Sequence, residues 1–226
     1  MSRRNRKGTC AYCGREAKLT RDHVPPRILF SKPCPPMLTV PACEECNQSF
    51  KKGDEYTAMV IALDVQAASH RDVIGNMATI TRSFQYPHGR RFVNYLMSQT
   101  TPSPILTPSG VPVRKLTRDV ERLASTGKRL IRGLHYVEMG KPLAPEARIT
   151  MSMSDSVEPS DDLIKLAVQA YDASKERRQR DMGNTFGYAA GFDDDGRSTW
   201  VIMVYGFFFW FATVGEPYDM EAIQAA

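Results

Sequence analysis

No stretch of this 226-residue chain is long and apolar enough to suggest a membrane-spanning helix. The longest apolar run, Trp200–Val214, is shorter than the ~20 residues a span needs. It is broken by Gly206 and rich in aromatic and β-branched residues, so two buried strands around a turn account for it better. A secretory signal is also missing, because no apolar stretch follows the basic segment Met1–Gly8. These absences predict a cytoplasmic protein with no membrane partner and with reduced cysteines. No internal repeat is visible. Cysteine is scarce, with five residues and none after Cys46. Acidic charge is scarce at the N-terminus, where residues 1–53 hold eleven Lys and Arg against four Asp and Glu. The whole chain carries +5, so the remaining residues sum to −2 and the basic excess is N-terminal. A phosphate-binding surface needs such a distribution, although a solvated basic tail also supplies part of it. A hydrophobic content of 42% with 24% charged residues excludes a disordered chain.

The pattern along the chain predicts an α+β protein with a helical middle. Asp54–Ala68, Arg71–Phe84 and Arg90–Ser98 read as helical pieces. Thr100–Pro112 holds four prolines and reads as a linker or extended loop. Leu116–Met139 reads as a helix, with Val120, Leu123, Leu130, Ile131 and Leu134 near helical spacing and Gly140 and Pro142 as its stop. Ile149–Met153 suggests a strand. Ser160 is a candidate cap for a helix running to about Asp181, with Asp161 and Asp162 in its first turn. Asn184–Phe192, Thr199–Tyr205 and Phe207–Val214 read as antiparallel strands, with Asp193-Asp194-Asp195-Gly196 as a hairpin turn rather than a metal site. The expected organisation is a module over 1–56, a helical region and Pro-rich linker over 57–115, and an α+β domain over 116–226.

Two short thiolate pairs, Cys10-x-x-Cys13 and Cys43-x-x-Cys46, have the spacing of a four-cysteine zinc site. Gly14 suits the sharp turn a knuckle requires. Cys34, between Pro33 and Pro35, is left as a free thiol. The 29 residues between the pairs exceed the about 15–20 of a simple zinc ribbon, so the insert carries something more. It contains Asp22-His23-Val24-Pro25-Pro26, and Asn47 directly follows the last cysteine.

Over about residues 8–56 the chain resembles the zinc-containing branch of the HNH endonucleases. The shared pattern is a Cys pair, an Asp-His dipeptide on a first strand, a second strand, and a Cys-x-x-Cys-Asn start to a helix. This chain supplies Cys10, Cys13, Asp22, His23, the strand Leu38-Thr39-Val40-Pro41, then Cys43, Cys46 and Asn47. It departs at Leu38, which stands about where the family carries an Asn that braces the active-site loop. A backbone carbonyl or Thr39 is the candidate substitute.

The resemblance implies a ββα-metal module that hydrolyses DNA phosphodiester bonds. His23 would be the general base, since a neutral imidazole can take a proton from water at pH 7. Asp22 and Asn47 would hold a catalytic Mg²⁺ or Mn²⁺, with zinc structural only. Neither is a zinc ligand, so replacing them is expected to spare the fold. Arg27, Lys51 and Lys52 are candidate phosphate contacts, and the expected partner is nucleic acid, double-stranded DNA first. Duller readings stand beside these: a structural His23, Asn47 as a helix cap, a solvated basic surface, and solvent-facing Asp54 and Glu55. His70, His88 and His135 have no partner pattern and read as structural, with His135 near a helix end where a cation is mildly favoured. The competing functions are a zinc-knuckle protein that binds nucleic acid without cutting it, and an interaction protein in which zinc only stabilises the fold. The C-terminal region has no recognisable catalytic motif. Its candidate roles are substrate selection, gating and formation of a homodimer.

Overall fold

The computed structural model describes residues 7–107, 109–154, 165, 168, 169, 171, 172 and 174–215. The protein is α+β, with antiparallel sheets and, among the described residues, the helices α1 to α4 given below. The N-terminal sheet has the order β1 (Lys7–Thr9), β2 (Glu16–His23), β3 (Thr39–Cys43). The β2–β3 register sets His23 opposite Thr39 and Asp22 opposite Val40. Helix α1 (Glu44–Ala62) starts at the end of β3 and is capped by Cys43, whose sulfur accepts the Cys46 N–H. Glu44 and Glu45 lie in its first turn, where the helix dipole favours acids. The helix therefore begins ten residues before the expected Asp54, and the expected boundary after residue 56 falls inside it.

Helices α2 (Arg71–Ser83) and α3 (Pro87–Ser98) follow. Their starts are set by the His70 cap, whose Nδ1 accepts the Asp72 N–H, and by Pro87 in the first turn. The segment expected as a linker is instead a hairpin of β4 (Thr100–Leu106) and β5 (Pro112–Leu116). Both strands of a two-stranded ribbon are edge strands, which tolerate proline: Pro102 lies opposite Arg114 and Pro112 opposite Leu106, and the register shifts between Pro102 and Leu106. Helix α4 (Val120–Met139) starts later than Leu116, at the Asp119 cap, and stops at Gly140 with φ +68°.

The C-terminal sheet has the order β6-β10-β9-β8-β7, formed by β6 (Ile149–Ser154), β7 (Glu176–Asp181), β8 (Phe186–Phe192), β9 (Ser198–Val204) and β10 (Phe208–Val214). The run Trp200–Val214 does form two strands. Tyr205 and Gly206 take positive φ of 53° and 80° between them, the signature of a tight hairpin turn. Asp193–Gly196 is likewise a turn, in which the Asp193 carboxylate accepts the Arg197 N–H at 2.8 Å. The expected helix to Asp181 needs correction. Glu176–Asp181 is an exposed edge strand whose charges discourage further pairing. Positions 165, 168, 169, 171 and 172 are helical, while Ser160, Asp161 and Asp162 lie outside the described residues.

The core is continuous from the N-terminal module to the C-terminal sheet. Helix α4 is its centre, burying Leu123, Leu130, Ile131 and Leu134 to 1% exposure or less. It approaches both neighbours through glycine. A Cβ on Gly127 would lie 2.9 Å from the Trp210 ring, and one on Gly133 would lie 2.7 Å from Val24. No helix among the described residues is long and apolar enough to cross a membrane.

Candidate metal centre and adjoining cleft

The β1–β2 turn presents Cys10 and Cys13, and the β3–α1 junction presents Cys43 and Cys46. The four sulfurs lie within 4.8 Å of one another, with Cys13 and Cys43 at 3.9 Å. Tetrahedral zinc with bonds of about 2.3 Å needs sulfurs about 3.8 Å apart, so the cluster fits that ion. Backbone N–H groups point at the sulfurs, Cys43 N to Cys10 Sγ at 3.3 Å and Cys46 N to Cys43 Sγ at 3.4 Å. Gly14, at φ +70°, turns the first knuckle back so that the Cys10 N–H reaches the Arg15 carbonyl. Burial raises the Cys10 and Cys46 thiols. At Cys13 burial also acts upward, but the Arg15 side chain and backbone outweigh it and bring the thiol down to about 6. Bound zinc would favour the thiolate at every position. Cys34 stands apart from this cluster, its sulfur 4.0 Å from the Phe30 carbonyl oxygen.

Beside the knuckles, the end of β2 and the outer turns of α1 enclose a cleft of about 200 Å³. It is lined by Asp22, His23, Arg27, Lys51, Asp54 and Glu55, together with Pro26 and Ile28. Five of the sequence-predicted or weighed residues therefore share one cavity with His23. The chain just past His23 is held by the backbone: Val24 N–H donates to the Leu38 carbonyl at 3.1 Å.

Asn47 and Lys52 do not line the cleft. Asn47 is not the helix cap, a position that Cys43 holds. Its amide nitrogen donates to Thr20 Oγ1 at 2.8 Å and to the Arg21 carbonyl at 3.3 Å, which ties α1 to β2. The Lys52 carbonyl accepts from Arg122 at 2.7 Å.

The residue that sequence reasoning missed is Arg129, on α4. Its side chain is 2% exposed. One terminal nitrogen donates to Asp22 Oδ2 at 2.9 Å and to the Tyr12 hydroxyl at 3.2 Å. The other donates to both oxygens of Asp54 at 2.6 and 2.7 Å. Tyr12 in turn donates to Asp22 at 2.6 Å, and the His23 N–H donates to Asp22 Oδ1 at 2.9 Å. Asp54, expected to face solvent, is a buried ion-pair partner instead. Burial, with the charge of Asp22, raises it to about 6 against the opposing pull of Arg129. Desolvating one guanidinium costs several kcal/mol. The four buried apolar side chains of α4 contribute roughly 6–12 kcal/mol, so docking of the helix outweighs that cost. In sequence, Arg129 stands at helical spacing from Thr126 and Gly133, on a stripe that α4 buries.

Glu55 is held from the far side by His88 at 3.3 Å. His70 packs against Tyr205 with the rings tilted by 46° and their centroids 4.7 Å apart. His135 is buried at 8% exposure, and desolvation, with Lys141 and Arg132 nearby, lowers it to about 4. It is therefore neutral, not the helix-end cation that its position in sequence suggested.

The cleft offers carboxylate oxygens for a hard cation, an imidazole, and two basic side chains on its rim. Carboxylate oxygen is the donor chemistry of a hard divalent cation, while the side chains close enough together to hold an ion among the described residues are the four cysteines. No protein-family model matches this chain, and neither a curated protein nor a solved structure matches it.

Proposed function

We propose that this protein is a metal-dependent endonuclease of the HNH type, acting on DNA. The observation that carries the reading is the shared cleft of Asp22, His23, Arg27 and Lys51, built on a β2–β3–α1 unit beside a four-cysteine cluster. A divalent cation bound at Asp22 would neutralise the attacked phosphate and stabilise the leaving 3′ oxygen. His23 takes a proton from the attacking water. Arg27 and Lys51 draw phosphates to the cleft mouth. Zinc at Cys10, Cys13, Cys43 and Cys46 keeps the β1–β2 turn against α1 and has no part in the chemistry.

A second reading is a zinc-stabilised nucleic-acid-binding protein that does not cut. One observation favours it: Asp22 is already engaged by Tyr12, Arg129 and the His23 N–H. Incubating the purified protein with plasmid DNA and Mg²⁺ or Mn²⁺, beside His23→Ala, separates the two. The nuclease reading expects nicked or linear DNA from the wild type alone. Intact DNA bound by both proteins would favour the second.

A further inference from the structure

Asp22 and Asp54 both line the cleft, and both meet the same guanidinium beneath it. Arg129 is closed off from solvent on its flanks, with Phe50 4.9 Å and Tyr12 5.7 Å from its central carbon. Among the described residues its Nε has no hydrogen-bond partner, and its polar contacts run through the two terminal nitrogens to Asp22, Asp54 and Tyr12. Asp22, Asp54 and Glu55, lining one cleft, carry more negative charge than one divalent cation neutralises. Here both oxygens of Asp54 and one of Asp22 accept from a fixed positive charge.

We infer that Arg129 serves as a built-in cation, holding Asp22 and Asp54 in place and restricting the cleft to a single exchangeable divalent cation. The inference rests on the proposed cation site at Asp22. Arg129 touches neither DNA nor the reacting atoms in this scheme. It is a positioning residue that acts through Asp22, whose other oxygen accepts the His23 N–H. Arg129 spans two carboxylates that line the same cleft.

The test is Mn²⁺ binding to the zinc-loaded, full-length protein, read by titration calorimetry and by electron paramagnetic resonance. Wild type is expected to take one Mn²⁺. Arg129→Gln removes the charge but keeps two hydrogen-bonding atoms. It should take a second Mn²⁺ or bind the first at least about tenfold more tightly, because two carboxylates then lack a counter-charge. Arg129→Lys keeps the charge without the forked geometry, so it should keep one Mn²⁺ at near wild-type affinity. Folded Arg129→Gln with wild-type stoichiometry and affinity would overturn the inference. If that variant does not fold, Asp54→Asn decides. The guanidinium charge would then cancel that of Asp22, and Mn²⁺ binding should weaken about tenfold. Unchanged affinity there also overturns it. Cleavage is scored separately. Wild type that binds one Mn²⁺ but cuts no DNA would refute the nuclease reading, while the Arg129→Gln titration still decides the role of Arg129.

Discussion

Arg129 on α4 and Asp22 on β2 are 107 positions apart in sequence and meet at 2.9 Å. The contact exists because Gly133, one turn further along α4, lets the helix backbone come down onto Val24, directly after His23. The candidate cleft is thus not a property of residues 1–56 alone. Its floor comes from a helix of the C-terminal half, and the same helix packs through Gly127 on the sheet. Docking of α4 and the arrangement of Asp22 are one event.

Zinc is expected at one equivalent per chain. Cys43→Ser removes a ligand but leaves a hydroxyl that can accept the Cys46 N–H and cap α1. Cys46→Ser removes a ligand only. Both should unfold the N-terminal module. Elemental analysis with a thermal melt checks this, and a folded wild type free of zinc would count against the centre.

His23→Ala should lower the cleavage rate about 10²–10⁴-fold with little change in zinc content or DNA affinity. The base acts in the transition state, whereas affinity comes mainly from phosphate contacts. Single-turnover cleavage beside a binding isotherm makes the comparison. A wild-type rate in the variant would remove His23 from the chemistry.

Asp22 and Asn47 should now behave differently from each other. Asp22→Ala removes one of the two carboxylates on Arg129 and leaves Asp54 to balance its charge, so it is expected to cost about 1–3 kcal/mol of stability. The fold should survive the change with a lower melting temperature. Asp22→Asn is the milder probe and should raise the cation concentration for half-maximal cleavage. Asn47→Ala loses two hydrogen bonds to β2, at about 1 kcal/mol each. If Asn47 is an anchor only, the melting temperature falls and the cation titration stays put. A shifted titration would restore it as a ligand.

Acid should destabilise the protein through His135. Its folded value is about 4 against an ordinary 6.5, so the unfolded chain binds the extra proton between those pH values. Stability from this group is complete above pH 6.5 and is lost as the pH falls toward 4. The loss amounts to up to about 3 kcal/mol. Asp54, raised to about 6, works in the opposite sense over part of that window. Denaturant melts of wild type and His135→Leu at pH 7 and pH 5 isolate the histidine: the wild type should lose more on acidification. Equal losses would show that His135 is not the source.

Local chemistry was enough to read the knuckles, the strand carrying Asp22 and His23, and the hairpins of the C-terminal sheet. Cysteine spacing, a positive-φ glycine and alternation of apolar residues act over a few residues and leave their mark in sequence. Other features were decided elsewhere. The expected linker became a hairpin because two proline-bearing segments found each other, a pairing that no single segment encodes. Glu176–Asp181 became a strand because the edge of β8 offered it hydrogen-bond partners that a polar helix turn could not match in place. Asp54 reads as a surface acid until α4 is packed against it. Burial and a partner 75 positions away then turn it into half of an ion pair. The sequence by itself determined which residues can bind zinc and which can line a cleft. Only the tertiary structure decided what lies under that cleft, because the positions of Arg129, Asp22 and Asp54 are set by packing of apolar surface on α4, and packing is a sum over the whole core.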